Sequence, residues 1–420
     1  MKRDMNAMKE RARDLYSRII KSQLEDKRSR MPEDKQGVTF EHGGKKYVAY
    51  IRRLTPHECD KLQGVPEWYD WGDISESQHY KMCGNGWQCE TIKHCWQYLP
   101  DLGRPYKVWS LFDGMCCAGI TLKELGVDVD CFVSSEIDKY AVKAEKQNFP
   151  DMVQVGSVTA INVGELVSKY GVPDLLCGGS PCQSFSFSGK MKGMSTAQGE
   201  EIYTLEHYLR LKEDGFQFEG QSYLFWEYMR ILKELQRYKP DIYFFLENVE
   251  MLEKWERCLS HAIGVRGVHI NSALVSAQQR KRIYWSNIRT KEIPDTRLFP
   301  EDDSQDPFAW PMVMTDIPQP EDRGIVIKDI LDDDAGDKYY LKDELVQKLI
   351  DKTDKNKLKD YLLEPQVSVE EAMAYMDASA DYNDLSEEQR RELAELGWKM
   401  EKQRLHDDYY GESNCNLFDE

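Results

Sequence analysis

A cysteine in a glycine-rich turn and a carboxylate at the end of a strand are the residues of this chain best suited to covalent chemistry. The turn reads GGSPCQSFS, residues 178–186, and places Cys182 directly after Pro181. A second apolar run downstream ends in FLENV, which carries Glu247 and then Asn248. A thiolate can add to an electron-poor carbon, and a nearby protonated carboxyl can balance the charge that the addition creates. We therefore predict Cys182 as a nucleophile, Glu247 as its acid and Asn248 as a residue that fixes the local backbone, against the alternative of a structural cysteine.

Two arginines follow in the segment QQRKR, residues 278–282. Arg280 and Arg282 are alternate residues, so they lie on one face if the segment is a strand. Their forked hydrogen bonds suit a carbonyl oxygen, a carboxylate such as Glu247, or a phosphate. A basic strand at the surface is the alternative, and two arginines alone would favour it.

A nucleotide-like ligand is suggested by two turns that follow apolar runs. The sequence FDGMCCAG, residues 112–119, lies between a predicted strand and a predicted helix, where backbone amides can face a ligand. Glu136 ends the next predicted strand, where an acid can accept hydrogen bonds from ribose hydroxyls. A tight turn without a ligand and a solvated loop acid are the respective alternatives.

Taken together, the Pro-Cys turn, FLENV and QQRKR resemble the cytosine-C5 DNA methyltransferase family, of the phage and bacterial type. The resemblance implies that Cys182 adds to C6 of a cytosine flipped out of double-stranded DNA, with Glu247, Arg280 and Arg282 assisting. It implies S-adenosyl-L-methionine as the cofactor and a mobile loop, residues 183–222, that closes on the base. The residues that it assigns to the cofactor are Phe112, Asp113, Gly114, Met115, Glu136, Ile137, Ser157, Pro181, Leu224, Asn85 and Trp87.

The chain departs from the family pattern at two positions of the predicted cofactor site. Ala118 stands where the family usually has glycine, although Gly119 follows, which indicates a shifted turn. Ser157 stands where the family commonly has an acid for the adenine amino group, and a serine offers only a neutral hydrogen bond. We therefore expect weaker cofactor binding than is usual in the family.

The order of the motifs is rotated relative to the family. The segments RLTPHECDKLQGVP, residues 53–66, and YKMCGNGW, residues 80–87, resemble the two segments that close the family's chain, but here they come first. We predict a circular permutation, which would bring Asn85 and Trp87 to the methionine end of the cofactor. An insertion around residues 200–220 has no role that the sequence reveals.

The elements that must position these residues alternate between strand and helix from Lys107 to about Ile288. Apolar runs at residues 107–112, 130–136, 173–177 and 241–246 predict strands, with helical patterns at 120–126, 139–145 and 226–235. This alternation predicts an α/β fold, a doubly wound, mostly parallel Rossmann-like sheet whose ligands bind beyond the carboxyl ends of the strands.

A second, smaller domain is predicted from the two ends of the chain. We assign residues 51–288 to the catalytic domain, and residues 1–50 with 289–420 to target recognition. The expected elements are a helix over about 4–26, a hairpin over 38–50, a capped helix from Thr55, and helices near 341–350 and 386–396.

Composition bounds the class of protein. The net charge is −18, but the acidic excess lies after residue 288, so the first 288 residues can face DNA. The eleven cysteines lack paired zinc spacing, which predicts free thiols and no metal site. No apolar run is long enough to cross a bilayer. We expect a monomeric, cytoplasmic protein of a bacterial or phage-infected cell that binds no membrane.

Two rival functions remain open on the sequence. One is an RNA methyltransferase of the same family, which differs in the acceptor and not in the chemistry. The other is a catalytically silent DNA-binding or regulatory protein that keeps the fold. A role in restriction-modification rests on analogy alone.

Overall fold

Apolar runs between residues 106 and 286 form one seven-stranded sheet in the computed structural model of the chain. The structure describes residues 8–16, 18–19, 37–42, 45–181, 194–196, 198–294, 306–333, 335–352, 369–378, 382 and 385–410. The strands of this sheet are β3 Tyr106–Leu111, β4 Val129–Ser135, β5 Val153–Gln154, β6 Leu175–Gly179, β9 Tyr243–Val249, β10 Val268–Asn271 and β11 Lys281–Ser286.

The sheet is mostly parallel, as predicted. Its strand order is β10-β11-β9-β6-β3-β4-β5. The pairs β6 with β9, β3 with β6, β3 with β4 and β4 with β5 are parallel, whereas β11 is antiparallel to both β9 and β10. The carboxyl ends of β3, β4, β6 and β9 therefore meet at one edge.

Helices precede, connect and follow the strands of the sheet. They are α2 Pro56–Gln63, α3 Glu76–Asn85, α4 Cys89–Trp96, α5 Cys117–Glu124, α6 Lys139–Asn148, α7 Val163–Tyr170, α8 Leu205–Glu213, α9 Phe225–Tyr238, α10 Glu253–Ile263 and α11 Ile327–Ile330. The predicted cap of α2 is confirmed, because the side chain of Thr55 accepts from the backbone of Glu58 while Glu58 accepts from the backbone of Thr55.

Both faces of the sheet are covered by apolar side chains. Neighbouring strand residues alternate between two buried clusters: Trp109 and Leu176 belong to one, Val108 and Leu175 to the other. The first cluster includes side chains of α9 and α10, and the second includes side chains of α4, α5 and α6. Burial on both faces is the mark of a doubly wound α/β fold, which confirms the predicted fold class.

The insertion around residues 200–220 packs into the first of these clusters. It contains α8 and the short strand β8 Phe218–Glu219, which pairs with β7 Ser195–Thr196 just before the insertion. Glu227 of α9 is fully buried and accepts from Tyr208 (2.5 Å) and from Lys212, both of α8, and from Arg230 (2.8 Å). The insertion is therefore anchored to α9 by a buried carboxylate.

Residues 289–333 group with the sheet and not with the chain ends. The chain divides into one unit of Met1–Arg53 with Asp334–Glu420, and another of Leu54–Asp333. The strands β12 Thr290–Glu292 and β13 Val313–Thr315 pair with each other, and Arg266 exchanges backbone hydrogen bonds with Val313 and Thr315. Because of these contacts, the boundary falls after Asp333, where the sequence had placed it after residue 288.

The unit of the two chain ends contains helices and a hairpin. Helical residues 8–16, 18 and 19 form α1, whose Ala12, Leu15 and Ile19 are buried. The predicted hairpin is confirmed as β1 Val38–His42 paired with β2 Lys45–Ala49. The unit also contains a short 3₁₀ helix at Asp337–Tyr339 and the helices α12 Asp343–Lys352, α13 Val369–Ala378 and α14 Glu387–Tyr410. Among the described residues, none of the helices has both the length and the apolarity that a bilayer crossing requires.

Candidate active site

A cavity of about 580 Å³ lies at the carboxyl ends of the parallel strands. Every predicted site residue that the structure describes lines it: Phe112, Asp113, Gly114, Met115, Glu136, Ile137, Ser157, Pro181, Leu224, Asn85, Trp87, Glu247, Arg280 and Arg282. Cys182 and residues 183–193 lie outside the described residues. The fold thus brings together residues that are up to 197 positions apart in the chain, from Asn85 to Arg282.

The turn after β3 has a backbone that few residues adopt. Phe112, Gly114 and Cys116 have φ values of 57°, 60° and 64°. Gly119, in contrast, lies inside α5, and a Cβ there would stand 2.5 Å from Cys116 Sγ and 3.1 Å from the Phe149 ring. The glycine next to Ala118 therefore allows close packing of a helix and is not part of a shifted turn.

The carboxylate of Glu136 ties the turn after β3 to the turn after β4. Its Oε2 accepts from the backbone of Gly114 at 2.9 Å, and its Oε1 accepts from the backbones of Ile137 and Asp138, both at 2.7 Å. A carboxylate has about four lone-pair positions. One position on Oε2 therefore remains for a ligand hydroxyl.

Asp113 is a buried acid beneath the cavity. Ser110 donates to its Oδ1, whereas Oδ2 has no hydrogen-bond partner within the described part of the chain. Burial, reinforced by the nearby carboxylate of Glu145, raises the pKa of Asp113 well above its ordinary value. An orphaned buried oxygen is costly unless a ligand supplies its partner.

Further side chains line the cavity next to Asp113 and Glu136, in the part that we call its first half. Ile137 is 72% exposed, so an apolar surface is held open to a ligand. Ser157 shares a hydrogen bond of 2.8 Å with the hydroxyl of Thr159, and its side chain caps the short helix Val158–Ala160. Lys81 of α3 pairs with Asp138 at 2.6 Å, and both residues line the cavity. This pair could not be predicted from the sequence, although Lys81 lies in the segment YKMCGNGW.

The glycines before the Pro-Cys pair allow the strand ends to approach one another. A Cβ at Gly179 would lie 2.6 Å from Trp87 Nε1 and 3.0 Å from Glu247 Oε2, and one at Gly178 would lie 2.9 Å from the carbonyl oxygen of Leu111. Only glycine fits such spacing without a shift of its neighbours. The sequence showed the glycines but not what they touch.

Glu247 and Asn248 lie at the carboxyl end of β9, which ends at Val249 as the segment FLENV predicted, although the apolar run of residues 241–246 stops before them. Glu247 pairs in register with Gly179 of β6. Asn248 Nδ2 donates to the hydroxyl of Ser180 at 3.0 Å and to its carbonyl oxygen at 3.3 Å. Asn248 therefore contacts the chain at Ser180, two residues before Cys182, which is where the predicted role of fixing the backbone would act.

The two arginines of QQRKR have different partners. Arg282 Nε lies 2.8 Å from Glu247 Oε1, and both side chains are largely buried. Arg280 donates to the carbonyl oxygens of Gly86 at 2.6 Å and Gly84 at 3.3 Å. Burial, followed by repulsion from Arg282, lowers the pKa of the Arg280 guanidinium. Arg280 therefore holds the loop of Asn85 and Trp87, a contact that the sequence did not predict.

Comparison with known proteins gives several relatives. The orphan methyltransferase M.Rho11sI of Bacillus phage rho11s is 28% identical over 291 residues, which are 63% of this chain and 51% of that protein. The orphan methyltransferase M.SPRI of Bacillus phage SPR is 28% identical over 284 residues, 62% of this chain and 58% of that protein. The chain thus spans about half to three fifths of the length of these curated relatives.

A solved structure, that of a DNMT2 variant from Spodoptera frugiperda, is 15% identical and has a TM-score of 0.35, covering 72% of this chain and 99% of that one. The family model described as C-5 cytosine-specific DNA methylase matches residues 3–98 and 106–265, together more than half of the chain. S-adenosylmethionine is the cofactor of such methyltransferases. On the strength of that match, the chain belongs to the C-5 cytosine-specific DNA methylase family.

Proposed function

We propose that the protein transfers a methyl group from S-adenosylmethionine to C5 of a cytosine in double-stranded DNA. The observation that carries the proposal is one cavity that holds both the Gly114–Glu136 turns and the Glu247–Arg282 pair. A cofactor and a target base bound there would lie side by side. Family membership supports the same reaction.

The residues of the first half of the cavity fit the cofactor. S-adenosylmethionine supplies an electrophilic methyl group. Glu136 keeps a free lone pair for a ribose hydroxyl, and Ile137 offers an exposed apolar surface for adenine. The orphaned oxygen of Asp113 suits a hydrogen-bonding group of the ligand. Phe112, Met115 and Leu224 add apolar surface, and Asn85 and Trp87 line the same cavity.

Cys182 is the proposed nucleophile. Its thiolate forms a bond to C6 of cytosine, which makes C5 nucleophilic towards the methyl group. Loss of the C5 proton and cleavage of the sulfur–carbon bond then release 5-methylcytosine and restore the thiolate. Ser180 and Pro181, which immediately precede Cys182, line the cavity, and Asn248 fixes the backbone at Ser180.

Glu247 and the arginines are the proposed assisting residues. Glu247 interacts with N3 of the base, and Arg282 holds the Glu247 carboxylate in one orientation through their 2.8 Å contact. Arg280 keeps the loop Gly84–Trp87 beside the catalytic residues. Because C5 is inaccessible in a duplex, the base must be flipped out, at a cost of about a few kcal/mol.

The proposal includes a circularly permuted chain and a recognition domain. The segment Gly84–Trp87 meets Arg280, although 194 positions separate Gly86 from Arg280. A rotated order of motifs requires this proximity, because it places the segment that closes the family's chain beside the cavity. The unit of Met1–Arg53 with Asp334–Glu420 is the proposed target-recognition domain.

Methyl transfer to matched DNA and RNA tests the proposal. The purified protein is incubated with labelled S-adenosylmethionine and with duplex DNA or RNA of the same sequences, and bisulfite sequencing of the DNA locates the modified cytosines. We expect 5-methylcytosine in DNA only. Transfer to RNA alone would identify an RNA methyltransferase, and no transfer to either acceptor would indicate a silent binding protein.

A further inference from the structure

A buried group of three potential metal ligands lies outside the residues that line the cavity. Asp60 comes from α2, and His79 and Cys83 come from α3. Their residues are only 9%, 7% and 3% exposed. His79 and Cys83 are four positions apart in one helix, so both side chains project from the same face. The three side chains therefore converge between two helices.

The distances within this group are close to those of a zinc site. Asp60 Oδ1 lies 2.7 Å from His79 Nε2 and 3.5 Å from Cys83 Sγ, and the three ligand atoms are within 4.8 Å of one another. With zinc bonds of about 2.0–2.3 Å, the ligand atoms of a tetrahedral site are about 3.3–3.7 Å apart. The oxygen–sulfur distance already fits, and the oxygen–nitrogen distance must open by about 0.6 Å.

Trp71 fixes two of the three side chains from outside the group. Its Nε1 donates to Asp60 Oδ2 at 3.1 Å, which leaves Oδ1 directed at His79 and Cys83. Its ring stacks on the imidazole of His79, with centroids 3.6 Å apart and planes 26° from parallel. Contacts of this kind hold metal ligands in the orientation that binding requires.

The donor set selects the ion. An imidazole, a thiolate and one carboxylate suit zinc, whereas magnesium and calcium prefer oxygen donors alone. Without an ion, Asp60 Oδ1 is within hydrogen-bond distance of His79 Nε2 and Cys83 Sγ. A metal would take the place of both hydrogens, with the imidazole carrying its proton on Nδ1 and the thiol proton released to solvent.

We propose that Asp60, His79 and Cys83 bind one Zn²⁺ ion, with water as the fourth ligand. The ion joins α2 to α3 just before α3 runs into the loop Gly84–Trp87. None of its ligands lines the cavity, so the ion is not placed to act on the bound cofactor or base. The proposal does not depend on methyl transfer.

Cobalt and zinc binding to the full-length protein test the site. The protein is stripped with a chelator and titrated with Co²⁺, and thiolate-to-cobalt charge transfer is recorded in the near ultraviolet. The zinc-loaded protein is analysed for metal content and for thermal unfolding. We expect one ion per chain, a charge-transfer band and a higher Tm with zinc.

Three variants assign the ligands. Cys83→Ser and His79→Gln should each weaken metal binding at least about 100-fold. Loss of a residue that only contacts a ligand weakens binding by about 10- to 100-fold, and loss of the ligand itself must exceed this. Cys59→Ser, a change of the half-buried cysteine next to Asp60, should bind as the wild type does.

The wild type alone can overturn the proposal, whether or not the variants fold. Absence of both stoichiometric zinc and the cobalt band would show that the three side chains are only a hydrogen-bonded contact between helices. A cobalt band that persists in folded Cys83→Ser would show that the metal binds elsewhere. Both readings are made without DNA or cofactor, so they are separate from a failure of methyl transfer.

Discussion

Replacing Arg280 should weaken cofactor binding in the absence of DNA. Arg280 donates to the carbonyl oxygens of Gly84 and Gly86, on either side of Asn85 and just before Trp87. In Arg280→Ala these carbonyls lose a charged donor, and the loop loses the contact that holds it at the cavity. The cofactor must then order the loop when it binds.

The expected loss of cofactor affinity follows from the shorter of the two hydrogen bonds, the 2.6 Å bond to the carbonyl oxygen of Gly86. A hydrogen bond from a charged donor contributes about 1.5–3 kcal/mol. If this free energy is taken from cofactor binding, Kd rises about 10- to 100-fold, since each 1.4 kcal/mol is a factor of ten. Isothermal titration calorimetry with S-adenosylmethionine measures the change.

Arg282→Ala is the matched control. Arg282 is paired with Glu247 and not with the loop, so its loss should change the cofactor Kd by less than about twofold while it lowers methyl transfer. Circular dichroism establishes that both variants are folded. Wild-type cofactor affinity in Arg280→Ala, or an equal loss in both variants, would refute the assignment of Arg280 to the loop.

Four further predictions follow from other contacts. Ser157→Asp should tighten cofactor binding by calorimetry, because a charged acceptor replaces a hydroxyl, and unchanged affinity would refute the placement of Ser157 at the adenine. Gly179→Ala should lower the rate of methyl transfer about 100-fold, because the added Cβ displaces Trp87 or Glu247. The control is Gly84→Ala, which should leave the rate nearly unchanged because a Cβ there meets nothing within 4 Å. Glu227→Gln should lower the free energy of unfolding in urea by about 3–5 kcal/mol, because it breaks a buried ion pair. The control Glu234→Gln, at a more exposed residue, should lower it by less than about 1 kcal/mol. Equal effects would contradict the role of Glu227 as the buried anchor of α8. Burial acts to raise the pKa of Asp332, but hydrogen bonds from Thr55, Lys61 and His57 lower it to about 2. The stabilisation of the fold by ionised Asp332 should therefore be present above about pH 4 and lost as pH falls towards 2. The Tm difference between the wild type and Asp332→Asn should shrink over that range.

The strands and the residues at their ends could be predicted because their signals are local. The apolar runs that become β3, β4, β6 and β9 are continuous in sequence, and Gly114, Glu136 and Glu247 lie at or near their carboxyl ends. Local hydrophobicity alone does not give the bounds of β9, since Glu247 and Asn248 are polar residues inside a buried strand.

Contacts between distant segments could not be predicted in the same way. The partner of Arg280 is a loop nearly 200 residues earlier, and its identity depends on how β11 lies against α3. The domain boundary could not be predicted for the same reason, because residues 289–333 join the sheet unit through contacts between distant segments, such as those of Arg266 with Val313 and Thr315. The group of Asp60, His79 and Cys83 also depends on the packing of two helices and has no paired spacing in the sequence.

The central claim is that Cys182 attacks the target base within the cavity that Glu247 lines. A duplex that contains 5-fluorocytosine at the methylated position tests it directly, because fluorine at C5 prevents loss of the C5 substituent and traps the protein on the DNA. We predict a denaturation-resistant complex, dependent on S-adenosylmethionine, for the wild type and none for Cys182→Ser. A complex that persists in Cys182→Ser, or no complex from a wild-type protein that methylates ordinary DNA, would contradict the account.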